Sequence, residues 1–326
     1  HIHTRLSLDA YAFGNRLTPA DAYRFARGEA ITANNGMPAR LQRPLDFLVV
    51  TDHAENMGVV AALDTADIAL LKTPEGRQLY DRLQAARKQS GDPQSFPLLG
   101  ELFTGGVRDA GYRQSIWDSV AANAEMYNEP GKFTAFIGYE WSATSMEGSL
   151  GYSGIHRVVI FKDGEEKATK VLPISNLDSN NPEDLWAHLA DYESTTGGEI
   201  LAIPHNGNYS KGRMFMPERS NGQPIDQAYA MLRSRWEPLY EVTQIKGDTE
   251  THPVLSVTDE FADFETWTGS ISEGIVEASE NSELSLQYEY ARSGLKLGLE
   301  QKSKLGVNPF KFGMIGSTDS HTALST

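Results

Sequence analysis

The chain has 326 residues, 40% hydrophobic and 22% charged, with a net charge of −15 from 44 acidic and 29 basic residues. That length allows one large α/β domain or two ordinary ones, and the acidic balance argues against nucleic acid or an anionic membrane as partner, since both need clustered Lys and Arg. No stretch reaches the roughly 18 consecutive apolar residues of a membrane span, and the absence of cysteine excludes disulfides, thiolate zinc sites and a cysteine nucleophile.

The chain opens HIHTRLSLDAY. His1 and His3 flank one residue, so on a strand both imidazoles share a face. TPADAYRFARGEA (18–30) reads as a helix, with Thr18 ahead of Pro19 in its first turn. LDFLVVTDH (45–53) reads as a buried strand ending in Asp52-His53. Residues 55–110 read as a loop-rich insertion, a lid over one face, in which 64–88 has the pattern of a surface helix. A helix is expected over 112–128. FTAFIGYEW (133–141) is a strand carrying Glu140 at its end, and GIHRVVIF (154–161) a strand with His156 at its beginning. A helix over 181–193, with Pro182 in its first turn, leads to EILAIPHN (199–206), which ends on Pro204-His205. A second long loop spans 207–222, followed by a helix over 224–236. LYEVTQIK (239–246) ends on Lys246, and a helix over 283–304 precedes FGMIGSTDSH (312–321). That last strand ends in Asp319-Ser320-His321, a second one-face pair.

Six such strands and the opening segment make seven, alternating with helices. The pattern suits a TIM-like β/α barrel, in which chemistry sits at the C-terminal strand ends. The reactive residues fall at those ends, with His156 the exception. Any metal must rest on His, Asp and Glu, which suit Zn, Mn or Fe. Of the eight histidines, His188 reads as an ordinary helix residue, and His252 as either a loop residue or a proton donor near the site.

HIHTRLSLD, TDH, GYE, IPHN and GSTDSH, in order along the whole chain, resemble the motifs of the polymerase-and-histidinol-phosphatase (PHP) superfamily. EPLYEVTQIKGDTETHP and IPHNGNYSKGRMF resemble one bacterial branch of it, described as a domain of unknown function. The resemblance implies a distorted seven-stranded (β/α)7 TIM-like barrel over 1–326, with insertions at about 55–110 and 207–222 and a metal site at the C-terminal face. Carried over residue by residue, it implies that His1, His3, Glu140 and Asp319 hold one metal. Glu140 bridges to a second, held also by His156 and His205, and Asp9, His53 and His321 hold a third. The Asp9 position is His in some relatives, and an oxygen ligand there changes which metal is preferred.

Two or three divalent ions of this kind clamp an in-line displacement and activate water, so no side-chain nucleophile is needed. Phosphate mono- or diesters suit such a site, because cations stabilise their charged transition state. For the anionic small-molecule substrate, Lys246, Arg213, His252 and Arg157 are the candidate catalytic or binding groups, with Lys211 a further cation. Asn206 and Trp141, next to proposed ligands, are candidate pocket walls or supports for them. A metal-dependent amide or ester hydrolase and a non-catalytic metal-stabilised module are the alternatives, and a nuclease fits less well. GYSG (151–154) and GRMFMPERSNG (212–222) lack the Gly-Lys-Ser/Thr helix start of a nucleotide P-loop. The text starts mid-strand and stops just past Asp319-Ser320-His321, as expected of part of a longer chain.

Overall fold

The computed structural model describes residues 1–146, 152–267 and 283–325. Among these are nine strands: β1 (Ile31–Thr32), β2 (Pro38–Ala39), β3 (Phe47–Val49), β4 (Thr134–Met146), β5 (Tyr152–Phe161), β6 (Ile200–Pro204), β7 (Leu239–Gln244), β8 (Gly247–Asp248) and β9 (Gly313–Gly316). The expected helices form where the sequence caps them. Pro19–Ala26 starts in a capping box between Thr18 and Asp21, and Pro182–Thr196 starts on the Asn181 side chain. Ala110–Tyr127 and Gln227–Trp236 start on Asp109 and Asp226. Each such cap contributes about 1 kcal/mol.

The architecture is mixed α/β with three small open sheets. β1 and β2 form a hairpin; a four-stranded sheet has the order β3-β4-β5-β6; a three-stranded sheet has the order β8-β7-β9. Pairing among the described residues does not close these into the expected barrel. The opening segment joins the two larger sheets: Ile2 bridges in parallel to Val50, just past β3, and to Ser320, beyond β9.

The expectation of parallel β/α units holds only for β3 with β4 and β7 with β9. β5 runs antiparallel to both of its neighbours. The reason is the short connection after β4: parallel neighbours need a crossover of a dozen or more residues, and this one supports only a hairpin. The reversal also explains the exception noted at His156. On a strand running backwards, the first residues lie at the end where β4 and β6 finish.

Period-two alternation then decides what fills the interior. Val49 of β3, Phe136 of β4, Val158 and Ile160 of β5, Ile203 of β6 and Ile315 of β9 pack into one apolar cluster. Counting by twos from these residues leads to His53, Glu140, His156, His205 and Asp319. The polar cluster therefore sits on top of an apolar plug. Gly138, between Phe136 and Glu140, is required there: a Cβ would lie 2.6 Å from the Val159 carbonyl and 2.6 Å from Val49 Cγ2. The main core lies on the other face of these strands, where Tyr139 and Phe161 are buried with Trp117, Trp186 and Phe215.

Three helical expectations are corrected. The 55–110 insertion is helical rather than loop-rich, with Val59–Asp64, Ile68–Leu71, Pro74–Ser90 and Leu99–Leu102. It packs a core of its own around Val60, Leu63, Leu70, Leu79, Leu83 and Leu102. The 64–88 pattern breaks at Thr73-Pro74, because Pro cannot donate into a continuing helix; Thr73 instead caps a new one through Gly76 N. The 283–304 helix is split into Glu283–Leu286 and Ala291–Leu305. Gly151 of GYSG lies outside the described residues, while Ser153 and Gly154 belong to β5.

Glu289, in the turn between those last two helices, is fully buried, and burial pushes its carboxyl up to about 7. A carboxyl raised from its ordinary 4.5 binds its proton more tightly when folded. Its contribution is present below pH 4.5 and is lost as pH rises through 7, amounting to at most about 3 kcal/mol. Thermal melts should show the native chain losing stability relative to Glu289→Gln between pH 5 and 8. A constant difference between the two across that range contradicts this reading.

Candidate metal centre

Three groups of side chains each bring candidate ligand atoms within 4.8 Å of one another: His1, His3, Glu140 and Asp319; His53, Glu140 and His156; and His3, His53 and His321. Glu140, at 0% exposure, is shared by the first two and presents one oxygen to each. Its Oε2 lies 3.1 Å from His3 Nε2 and 3.6 Å from His1 Nε2. Its Oε1 lies 2.7 Å from His156 Nδ1, 3.4 Å from His53 Nδ1 and 3.4 Å from His205 Nε2. Asp319 Oδ1 completes the first group at 2.9 Å from His3 Nε2 and 3.3 Å from His1 Nε2. Asp9 Oδ2 lies 3.1 Å from His321 Nε2 and 3.4 Å from His53 Nε2.

Hydrogen bonds hold the His1 and His3 rings from behind, and others meet His53, His321 and His156 beside the cluster. Asp52 accepts from Ser7 Oγ at 2.8 Å, so Ser7 Oγ is left to accept from His3 Nδ1, also at 2.8 Å. That leaves His3 Nε2 unprotonated and aimed at Glu140 and Asp319. Glu241 holds the His1 ring from the other side, accepting from its Nδ1 at 2.8 Å. His53 Nδ1 rests 2.6 Å from Ser142 Oγ, and His321 Nδ1 lies 3.0 Å from the Asp319 carbonyl. Asn206, at a left-handed φ of 65°, places Nδ2 3.3 Å from His156 Nδ1 and accepts from Gln244 at 2.7 Å. The backing of His1 by a carboxylate and of His3 by a hydroxyl is the usual companion of metal-ligating histidine.

A model of one protein family, described as "Protein of unknown function (DUF3604)", matches residues 1–326. The chain belongs to the DUF3604 family. No curated protein and no solved structure matches it.

The buried cluster of this DUF3604 chain is one that could hold metal ions. His1 Nε2, His3 Nε2, Glu140 Oε2, both ring nitrogens of His205 and Asp319 Oδ1 are buried without a hydrogen-bond partner. Leaving so many polar atoms unsatisfied would cost several kcal/mol. Imidazoles and carboxylates converging at these distances form a donor set for a borderline divalent cation.

Burial opposes charge on each of these groups, and neighbours decide the outcome. At Glu140, burial is outweighed by His205, His53 and His3, which hold the carboxyl well below its usual range. At Asp319, burial yields in the same way to Lys246 and His1. At His156, burial prevails and pushes the imidazole down to about 4, so it is neutral near pH 7. A neutral ring is what a metal ligand requires.

The other predicted residues separate. Lys246 reaches the cluster and forms an ion pair with Asp319 Oδ2. Arg213 reaches Ser153 Oγ on β5 at 3.2 Å. Arg157, one residue from His156 and so on the opposite face of β5, is buried and paired with Glu237 at 3.0 Å. His252 packs its ring 5.5 Å from Tyr290, and Trp141 is core, donating its indole N–H to the Ser179 carbonyl. His188 lies on the Pro182–Thr196 helix, as expected.

Glu241, Ser7 and Ser142 were not singled out in the sequence. Glu241 had a signal: it is the one acidic residue within the run LYEVTQ, with Leu239 two residues before it contributing to the apolar cluster. Glu55, two residues past His53, is also buried, and burial pushes its carboxyl up to about 8.

Proposed function

We propose that this chain is a metal-dependent phosphoesterase, built as a single distorted β/α barrel like the PHP superfamily it resembles. The barrel reading is supported by Ile2 bridging two sheets and by one apolar cluster drawn from strands of both. The metal reading is carried by Glu140, whose two oxygens face two separate sets of histidines. Two or three divalent ions, Zn, Mn or Fe, would sit there. His1, His3, Glu140 and Asp319 would hold one, and Glu140 with His156 and His205 a second. Asp9, His53 and His321 would hold the third. Bound there, the ions would supply Lewis acidity and bring the pKa of water toward about 7.

The chain's own residues would do the rest. Glu241 and the Asp52–Ser7 pair would hold His1 and His3 in the correct tautomer. Lys246, beside Asp319, would add positive charge for the phosphate group. Arg213 and His252 would act further out, on the substrate or on protons, and Arg157 would hold β5 in place through Glu237. The substrate would be a small anionic ester and not a nucleic acid, given the acidic surface.

The test is hydrolysis of a chromogenic phosphomonoester and a phosphodiester by protein loaded with Zn or Mn. Turnover that a chelator abolishes and added metal restores is expected. Full metal occupancy without turnover on either ester would refute the reading.

A further inference from the structure

Beside the cluster lies an open cleft lined by Gln244, Ile245, Gly247, Glu265 and Trp267. It is joined to the cluster by a line of contacts: Gln244 Nε2 donates to Asn206, whose Nδ2 lies 3.3 Å from His156 Nδ1, itself 2.7 Å from Glu140 Oε1. Lys246 lies between two of the lining residues while its ammonium reaches Asp319.

Four features show that the cleft is built. Gln244 is 6% exposed, and its Oε1 has no hydrogen-bond partner. Trp267 has its ring edge-on to Tyr209, with centroids 5.9 Å apart, and is 36% exposed, whereas Trp117, Trp141, Trp186 and Trp236 are buried. Gly247 stands at φ 101°, where a Cβ would come within 2.6 Å of Trp267 Cβ, so glycine is needed for the indole to sit this close. Glu265 is tied down at its carbonyl by Asp248 N–H at 3.1 Å.

The accessible polar groups of the cleft are the exposed Glu265 carboxylate, an acceptor, and the indole N–H of Trp267. One aromatic face with a carboxylate beside it fits a ring that carries hydroxyl donors. We propose that this cleft binds the alcohol half of the substrate and that the alcohol is a sugar-like polyol, stacked on Trp267 and donating to Glu265. The proposal rests on the phosphoesterase reading for the phosphate half only.

Two measurements test it on metal-loaded protein. In the first, glucose 6-phosphate is titrated while tryptophan emission is followed. Saturable quenching that disappears in Trp267→Phe is expected, and no quenching overturns the proposal. In the second, kcat/KM is compared for glucose 6-phosphate, propyl phosphate and phosphocholine. The sugar ester should be preferred, and Trp267→Ala should lower its advantage over propyl phosphate about tenfold, as losing one stacking face implies. An unchanged ratio, or a preference for phosphocholine, overturns it. Quenching without turnover of any ester supports the cleft and sinks the phosphoesterase reading instead.

Discussion

Asp52→Ala should destabilise the metal-free protein by about 3–5 kcal/mol, measured as a shift of the urea midpoint at unchanged slope. Asp52 is 1% exposed and accepts four hydrogen bonds. Two come from Thr4, through its backbone N–H at 2.7 Å and its hydroxyl at 2.6 Å. Two come from Ser7, through its N–H at 3.1 Å and its hydroxyl at 2.8 Å. Alanine would leave these donors buried and unpaired, and each such loss costs about 1–3 kcal/mol. Asp52→Asn is the control. Its remaining carbonyl oxygen can replace Oδ1, which takes three of the four bonds, so its loss should be less than half as large. Equal losses in the two variants would show that the charge, and not the hydrogen bonds, is what Asp52 supplies. A loss under about 1 kcal/mol for alanine would show that the loop from Thr4 to Ser7 is held by other means.

Glu140→Gln should have the largest effect on the centre itself. Glutamine keeps the size and the fold but loses the charge and one acceptor oxygen. Since one carboxylate faces both His1–His3–Asp319 and His156–His205, a single change should empty both proposed metal positions together. The proposed hydrolysis should fall by at least about 100-fold, more than the 10–100-fold typical of losing a residue that only orients a ligand. Glu241→Gln is the comparison. It touches the back of His1 only, so it should lower affinity at one position and leave the other filled.

Much of this centre was readable from residue spacing. His1-x-His3 and Asp319-x-His321 share faces because strands alternate, and His53 and His205 follow apolar runs that had to be buried. The Thr18 and Asn181 caps were readable because capping is a local interaction. What could not be read depends on contacts distant in sequence. The reversal of β5 follows from its hairpin with β4, and only that reversal places His156 beside Glu140. Ser7 and Ser142 are ordinary serines until the fold brings the rings of His3 and His53 onto their hydroxyls. Apart from Pro74–Ser90, the helices of the 55–110 insertion are only four to six residues long, so their order comes from packing against one another and against Leu8 and Tyr11. Glu241 is legible in the sequence as well, since the alternation along β7 from Leu239 places it on the face of the cluster.

The central claim is that one buried carboxylate is shared between two metal positions. Elemental analysis of protein loaded with Zn or Mn and then freed of loose ions tests it most directly, with Glu140→Gln measured in parallel. At least two ions per chain are expected in the native protein, with both positions lost together in the variant. One ion or none in the native protein, or an unchanged count in Glu140→Gln, would contradict the account.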